Sequence, residues 1–167
     1  DLKSMGASSI CIKDMSGLMG PKEGYDLVSA IKDAEPDMPL VIHTHCTTGL
    51  AFMTYLKCAE AGADVLDTAI SPLSMGTSQP PTETIVATLA GTPYDTGIDL
   101  AKLDKITNYF APLREKYLKE GLLDPKALKV DVNALLYQVP GGMLSNLMFQ
   151  LREAGAADKM DEVLAEV

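Results

Sequence analysis

The sequence predicts an α/β fold built on a parallel sheet, and three observations carry that prediction. Short β-like runs alternate with amphipathic helical stretches in a β-loop-α order, repeating about every 30 residues, the rhythm of right-handed βαβ units. The runs are nearly continuous in apolar residues, as parallel strands covered on both faces are. The chain has 167 residues, 47% hydrophobic and 22% charged, the length and composition of one ordered globular domain.

The first run, Ser8 to Asp14, has an apolar centre at Ile10-Cys11-Ile12 and ends in a glycine-containing loop, Ser16 to Gly20. Pro21 suits the first turn of a helix. Leu27, Ala30, Ile31 and Ala34 follow at helical spacing and mark its expected buried face, and Pro36 and Pro39 end it. The second run is Leu40 to Cys46. Thr47-Thr48-Gly49 then leads into a helix with Phe52, Tyr55, Leu56 and Ala59 on one side and Gly62 as its stop. The third run spans Ala63 to Ile70. A loop of small residues, Ser71 to Gln79, passes through Pro80 and Pro81 into a helix carrying Ile85 and Leu89; it has room for a very short fourth strand around Thr77 to Gln79, which propensity alone does not find. After Gly91 the character changes. Leu103, Ile106, Phe110, Leu113 and Tyr117 define a long helix over about 100–120, with a kink expected at Pro112 and a stop at Gly121. Residues 122–140 read as irregular. Pro140-Gly141-Gly142 opens a helix with Leu144, Leu147, Met148 and Leu151 on one face, and a last short helix covers about 157–165. Residues 1–95 thus carry the sheet, and 96–167 are a helical extension of the same domain.

Acidic side chains outnumber basic ones 23 to 14, for a net charge of −9. A surface of this sign repels phosphate backbones, which argues against nucleic-acid binding, and disfavours adsorption to anionic membranes. The apolar runs are far too short to span a bilayer, and no charged-then-apolar leader opens the chain. Cys11, Cys46 and Cys58 form no CxxC pair, and an odd number is a poor disulfide framework. They are expected as small buried side chains in a reducing compartment, the cytoplasm by default.

His43-Thr44-His45 is the sharpest chemical signal, and these are the only two histidines. Residues i and i+2 of a strand share a face, so both imidazoles project together at the C-terminal end of the second strand, where α/β folds carry their active sites. Two convergent imidazoles suit a Zn²⁺, Mn²⁺ or Co²⁺ centre. The same spacing also fits two histidines hydrogen-bonded in a core or exposed at a strand end. Lys13 ends an apolar strand expected beside the histidine strand. A buried ammonium is costly, and desolvation favours the neutral amine. Such an amine adds CO₂ to become a carbamate, a carboxylate-like ligand. The competing reading is a snorkelling lysine paired with Asp14 or Asp67.

Three ordered segments resemble a known family: Ile12 to Leu18, His43 to Gly49, and Pro140-Gly141-Gly142-Met143-Leu144-Ser145-Asn146-Leu147. They look like signatures of the biotin-dependent carboxyltransferases, which include the oxaloacetate decarboxylase α subunit, pyruvate carboxylase and the transcarboxylase 5S subunit. The resemblance covers essentially the whole chain. It implies that His43 and His45 bind a divalent metal (Zn²⁺, alternatively Mn²⁺ or Co²⁺), that Lys13 is the carbamylated lysine bridging to it, and that Ser145 occupies the place of a hydroxyl residue, usually Thr, that shuttles a proton between the biotin ureido nitrogen and the pyruvate enolate. It further implies oxaloacetate and pyruvate as substrates and biotin carried on another domain or subunit. The implied partners are a biotin carrier domain and either membrane decarboxylase subunits or a biotin carboxylase subunit, in a cytoplasmic homo-oligomer or one peripheral to a membrane complex.

The family's fold is a TIM (β/α)₈ barrel, which needs about 250 residues. The resemblance therefore implies the C-terminal half of such a barrel, strands five to eight, followed by the helical extension, as an internal fragment of a longer subunit. The family's aspartate ligand and substrate arginine belong to the first half and have no counterpart before Lys13, so the fragment is expected to be inactive alone and to act in association. Cys46 stands where pyruvate carboxylases usually carry Asp. It is a soft extra ligand or a packed thiol, and the alternation of strand side chains favours packing. Metal-dependent lyases and aldolases of the same superfamily also use an HxH strand and remain the alternative enzyme class.

Overall fold

A computed structural model describes residues 1–132, 134–137 and 141–166, without the side chains of 126, 137, 141–145, 161 and 165. Strands β1 (Ile10–Asp14), β2 (Leu40–Thr44) and β3 (Val65–Leu66) form one parallel sheet in the order β1-β2-β3. Helices α1 (Pro21–Ala34), α2 (Ala51–Glu60) and α3 (Thr82–Leu89) follow the runs in sequence. Central β2 divides the two faces cleanly. Leu40, Ile42 and Thr44 are fully buried, whereas Val41 and His43 are half-buried on the other side. The core lies between the first face and the helices, with Val28, Leu40, Ile42, Tyr55, Cys58, Ala59, Ile85 and Leu89 packed together.

Helix α1 buries Gly24 and Val28, while Leu27 is 42% exposed. The expected stripe is therefore about one residue out of phase. The reason is the α1–α2 contact: a Cβ on Gly24 would lie 2.9 Å from Cys58 Sγ and 3.0 Å from Thr54 Cγ2. A glycine marks the closest approach, and a count of large apolar residues passes over it.

The third run also contracts. Only Val65 and Leu66 form a strand, although Asp64 N–H donates to Leu40 O and Asp67 N–H to Ile42 O at the two ends. No fourth strand forms at 77–79. A single parallel bridge, Ala69 to Pro81, takes its place, because the Pro80-Pro81 pair has no N–H to extend a ladder.

Helix α4 (Leu100–Lys119) lies on the surface with no fully buried residue. Its inward side is Leu103, Thr107, Phe110, Leu113, Arg114 and Leu118, whereas Ile106 and Tyr117 are 46% and 37% exposed. It is tied down by polar contacts. The Glu83 carboxylate accepts from the Ser71 N–H at 3.1 Å and from the Thr107 hydroxyl, and Arg114 donates to Pro72 O at 2.8 Å. Burial works to raise the Glu83 pKa, but these hydrogen bonds outweigh it and hold the carboxyl below its ordinary value. A 3₁₀ turn (Pro125–Leu128) and helices α5 (Ala134–Tyr137), α6 (Gly141–Glu153) and α7 (Met160–Glu166) follow. Among the described residues, no helix is long and apolar enough to cross a membrane.

Candidate metal-binding rim

The C-terminal ends of the three strands and the loops after them build one rim. In the loop after β1, the Asp14 carboxylate accepts from Leu18 N–H (3.1 Å), Met19 N–H (2.9 Å) and the Thr44 hydroxyl (2.8 Å). Asp14 is thus committed to shaping the loop. Gly17 lets that loop lie against the end of β2. Its φ is +66°, and any Cβ there would collide with the His45 carbonyl, so only glycine fits. Tyr55, fully buried, reaches up from α2; its hydroxyl accepts from Thr44 N–H at 3.1 Å and donates to Asp67 O at 2.5 Å, joining the ends of β2 and β3.

On this frame His43 and His45 point the same way, their ring centroids 5.2 Å apart. Each ring is fixed through its inner nitrogen. His43 Nδ1 donates to the Asp67 carboxylate at 2.9 Å, and His45 Nδ1 to the Thr77 carbonyl at 2.6 Å. Their Nε2 atoms converge to 3.2 Å. Anchoring Nδ1 on a carboxylate or carbonyl sets the tautomer and leaves the Nε2 lone pair outward, the arrangement metal-ligating histidines use. Burial keeps the His45 imidazole pKa below its ordinary value, the charges of His43 and Lys13 act the same way, and the Thr77 carbonyl and Asp14 oppose them. The neutral, ligand-competent ring is therefore favoured.

The pair also fits a cation by length. Two Zn–N bonds of about 2.0–2.1 Å at a tetrahedral angle separate their nitrogens by about 3.3 Å, close to the 3.2 Å between the two Nε2 atoms. Among the described residues, no cluster of three or more His, Cys, Asp and Glu side chains is placed to hold a metal. The rim thus offers two imidazoles as a partial ligand set.

Lys13 is the Cα partner of His43 across β1 and β2, so the two share a face. The burial expected for Lys13 is not found, since its residue is exposed. Cys11 and Val65 on the same face are exposed as well, so among the described residues no helix covers that face. Nor does it take either pairing considered for it: Asp14 is bound to the loop, and Asp67 holds His43. Cys46 is fully buried, with burial pushing its thiol up to about 12. It is a packed thiol. Ser145 lies on α6, but its side chain and Pro140 fall outside the described residues.

Two rim residues escaped sequence reasoning in their actual roles. Asp67 stands at the end of the third run, and a carboxylate at a strand end one βα unit after an HxH is a signal that could have found it. Gln79 sits within hydrogen-bonding distance of both histidines, and nothing in an irregular loop of small residues advertises it. A separate cavity of about 390 Å³, lined by Ala59, Leu66, Ile85, Leu89 and Tyr94, lies on the helical side of β3 and does not reach the histidines.

The HMGL-like family profile matches residues 1–109, and a conserved carboxylase domain matches residues 134–167. A pyruvate carboxylase subunit of Methanocaldococcus jannaschii is 59% identical over 99% of this chain. The methylmalonyl-CoA carboxyltransferase 5S subunit of Propionibacterium freudenreichii is 47% identical, also over 99%. The chain spans 29% and 32% of the lengths of these two relatives. The carboxyl transferase domain of Rhizobium etli pyruvate carboxylase, solved with pyruvate and biocytin, superimposes with a TM-score of 0.86 at 34% identity, over 98% of this chain and 27% of that one.

Proposed function

The chain belongs to the HMGL-like family, and from that premise we propose that it supplies the metal-holding rim of a biotin-dependent carboxyltransferase. The reaction moves a carboxyl group between oxaloacetate or pyruvate and biotin carried on another domain or subunit. Similarity to a pyruvate carboxylase subunit supports the carboxylase form over the decarboxylase form. The biotin carrier and a biotin carboxylase subunit are then the partners. On this reading residues 1–95, with their three strands, come from the C-terminal half of an eight-stranded barrel, and 96–167 are their helical extension. The observation that carries the proposal is the convergence of the two Nε2 atoms at 3.2 Å with both Nδ1 atoms anchored.

His43 and His45 would hold the cation, Zn²⁺ or alternatively Mn²⁺ or Co²⁺, and the carbamate of Lys13 would join them. What supports Lys13 is position: it is level with His43 on the same face, and its exposed amine is open to CO₂. Carbamate formation replaces a cation by an anion, which suits a site holding positive charge. When bound, the divalent cation supplies Lewis-acid polarisation of the ketoacid carbonyl. Asp67 and the Thr77 carbonyl keep the two rings aimed and in one tautomer. Ser145 would pass a proton between the biotin ureido nitrogen and the methyl carbon of pyruvate, since a hydroxyl both donates and accepts.

Elemental analysis after exhaustive dialysis tests the reading. The protein is expected to retain a stoichiometric cation and the His43→Ala/His45→Ala variant to lose it; stoichiometric metal in the double variant overturns the proposal. In the assembled enzyme, Ser145→Ala is expected to abolish carboxyl transfer while metal content stays intact. Transfer at the wild-type rate would remove the proton role.

A further inference from the structure

We infer that Gln79 competes with a cation for the two histidines: its side-chain amide lies against both Nε2 atoms and has to swing away for a cation to be held there. The inference rests on the two-histidine reading above. Gln79 Nε2 lies 3.3 Å from His43 Nε2 and 3.2 Å from His45 Nε2. Both rings already donate through Nδ1, to Asp67 and to Thr77. In the neutral rings both Nε2 atoms are therefore acceptors. Two acceptors 3.2 Å apart cannot bond to each other, and something positive or donating must stand between them.

An amide NH₂ carries two donors and no positive charge, one donor for each ring. The opposite amide orientation would set a carbonyl oxygen against two lone pairs, so the hydrogen-bond network fixes the NH₂ end toward the histidines. The backbone of Gln79 is held, with its carbonyl accepting from Met75 N–H at 3.0 Å. The residue is only half-buried, so the side chain alone can swing clear. Gln79 thereby holds the two lone pairs aimed at one point, and a cation has to exceed two neutral hydrogen bonds to take its place. Ions that favour imidazole nitrogen do so readily, and ions that prefer oxygen ligands do not. Gln79 is a positioning residue for the two rings and a filter on what they hold.

The experiment is a Zn²⁺ titration against a chromogenic chelator, with stopped-flow uptake, on the wild type, Gln79→Leu and Gln79→Asn. Leucine removes the donors, and asparagine keeps the amide on a side chain too short to reach both rings, so either variant tests the claim if the other misfolds. Both are expected to bind Zn²⁺ about tenfold more tightly, the equivalent of the displaced hydrogen bonds, and to load faster. In ¹H–¹⁵N spectra the Gln79 NH₂ resonances of the metal-free wild type are expected to move as Zn²⁺ is added. Unchanged or weaker affinity in the variants overturns the inference while leaving the metal reading intact. Absence of Zn²⁺ binding by the wild type overturns the metal reading itself.

Discussion

Replacing Tyr55 by Phe tests whether the rim is held from below. The phenol ring is fully buried among core residues and stays in place in the variant. Only the hydroxyl is lost, and with it the bonds from Thr44 N–H and to Asp67 O. A neutral hydrogen bond contributes about 1 kcal/mol net, and a buried N–H left without a partner costs about 1–3 kcal/mol. Thr44 is itself fully buried, so water does not readily replace the phenol there. The expected loss is about 2 kcal/mol, or about 4–8 °C in Tm for a chain of this size. The effect also reaches function, because Thr44 lies between the two histidines and Asp67 orients His43. Zn²⁺ affinity is expected to fall by about tenfold, the lower end of the loss for an outer-shell partner, since Tyr55 acts one step further out. Urea denaturation and Zn²⁺ titration measure the two effects. A Tyr55→Phe protein within about 0.5 kcal/mol of wild type (the scatter of neutral substitutions), with unchanged Zn²⁺ affinity, refutes the reasoning.

Gly24→Ala gains about 1 kcal/mol of helix propensity but forces a Cβ to 2.9 Å from Cys58 Sγ, an overpacking cost of about 1–3 kcal/mol; denaturation should show a net loss, partly recovered with Cys58→Ala. The Asp64 carboxyl is held below its ordinary value, first by the hydrogen bond from Lys32 and also by Leu40 N–H, with burial opposing. A depressed folded-state value means stability that is complete above the unfolded value near 3.8 and lost as pH falls through the folded one. The stability gap between wild type and Asp64→Asn should therefore be constant at neutral and mildly acidic pH and close in strong acid; a gap that widens on acidification contradicts the assignment. Burial raises the Cys46 and Cys58 thiols to about 12 and about 11, whereas Cys11 is exposed. Iodoacetamide at neutral pH is expected to label Cys11 alone in the folded protein, and peptide mapping that finds Cys46 modified without denaturant counts against the packed-thiol reading.

Much of this was legible in the sequence because it rests on local pattern. The parallel β-loop-α order, helices α2 and α3 with their buried Tyr55, Ile85 and Leu89, and the shared face of His43 and His45 all follow from periodicity. What escaped depends on distant neighbours. The α1 stripe went wrong at Gly24, whose meaning appears only once Cys58 and Thr54 stand opposite. Ile106 and Tyr117 match the helical period of α4, yet α4 packs on one narrow side and leaves them exposed. Cys11 and Lys13 end or fill an apolar run, so sequence reasoning buried them; among the described residues nothing covers the sheet face that carries them. Gln79 belongs to a loop whose course is set by non-local hydrogen bonds, and no local rule selects it.

Those hydrogen bonds bind the helical extension to the chemistry. Thr77 N–H donates to Ala127 O at 2.9 Å, while the carbonyl of Thr77 accepts from His45. Asp131 N–H donates to Thr47 O at 2.7 Å, in the loop directly after the histidine strand. Gly76, with φ +56°, has no room for a Cβ because the Ala127 carbonyl fills that space. Segment 125–132 therefore sets the position of the peptide that aims His45. The two imidazoles lie at the end of β2 and on the residue just past it, but the groups that orient them come from beyond β3 and from a loop clamped by the extension. A displacement at Ala127 would be passed through one peptide unit to an Nδ1–H, and so to the angle at which a cation is met. The extension reads accordingly as part of the site's support, which is why the HxH strand alone does not specify the geometry.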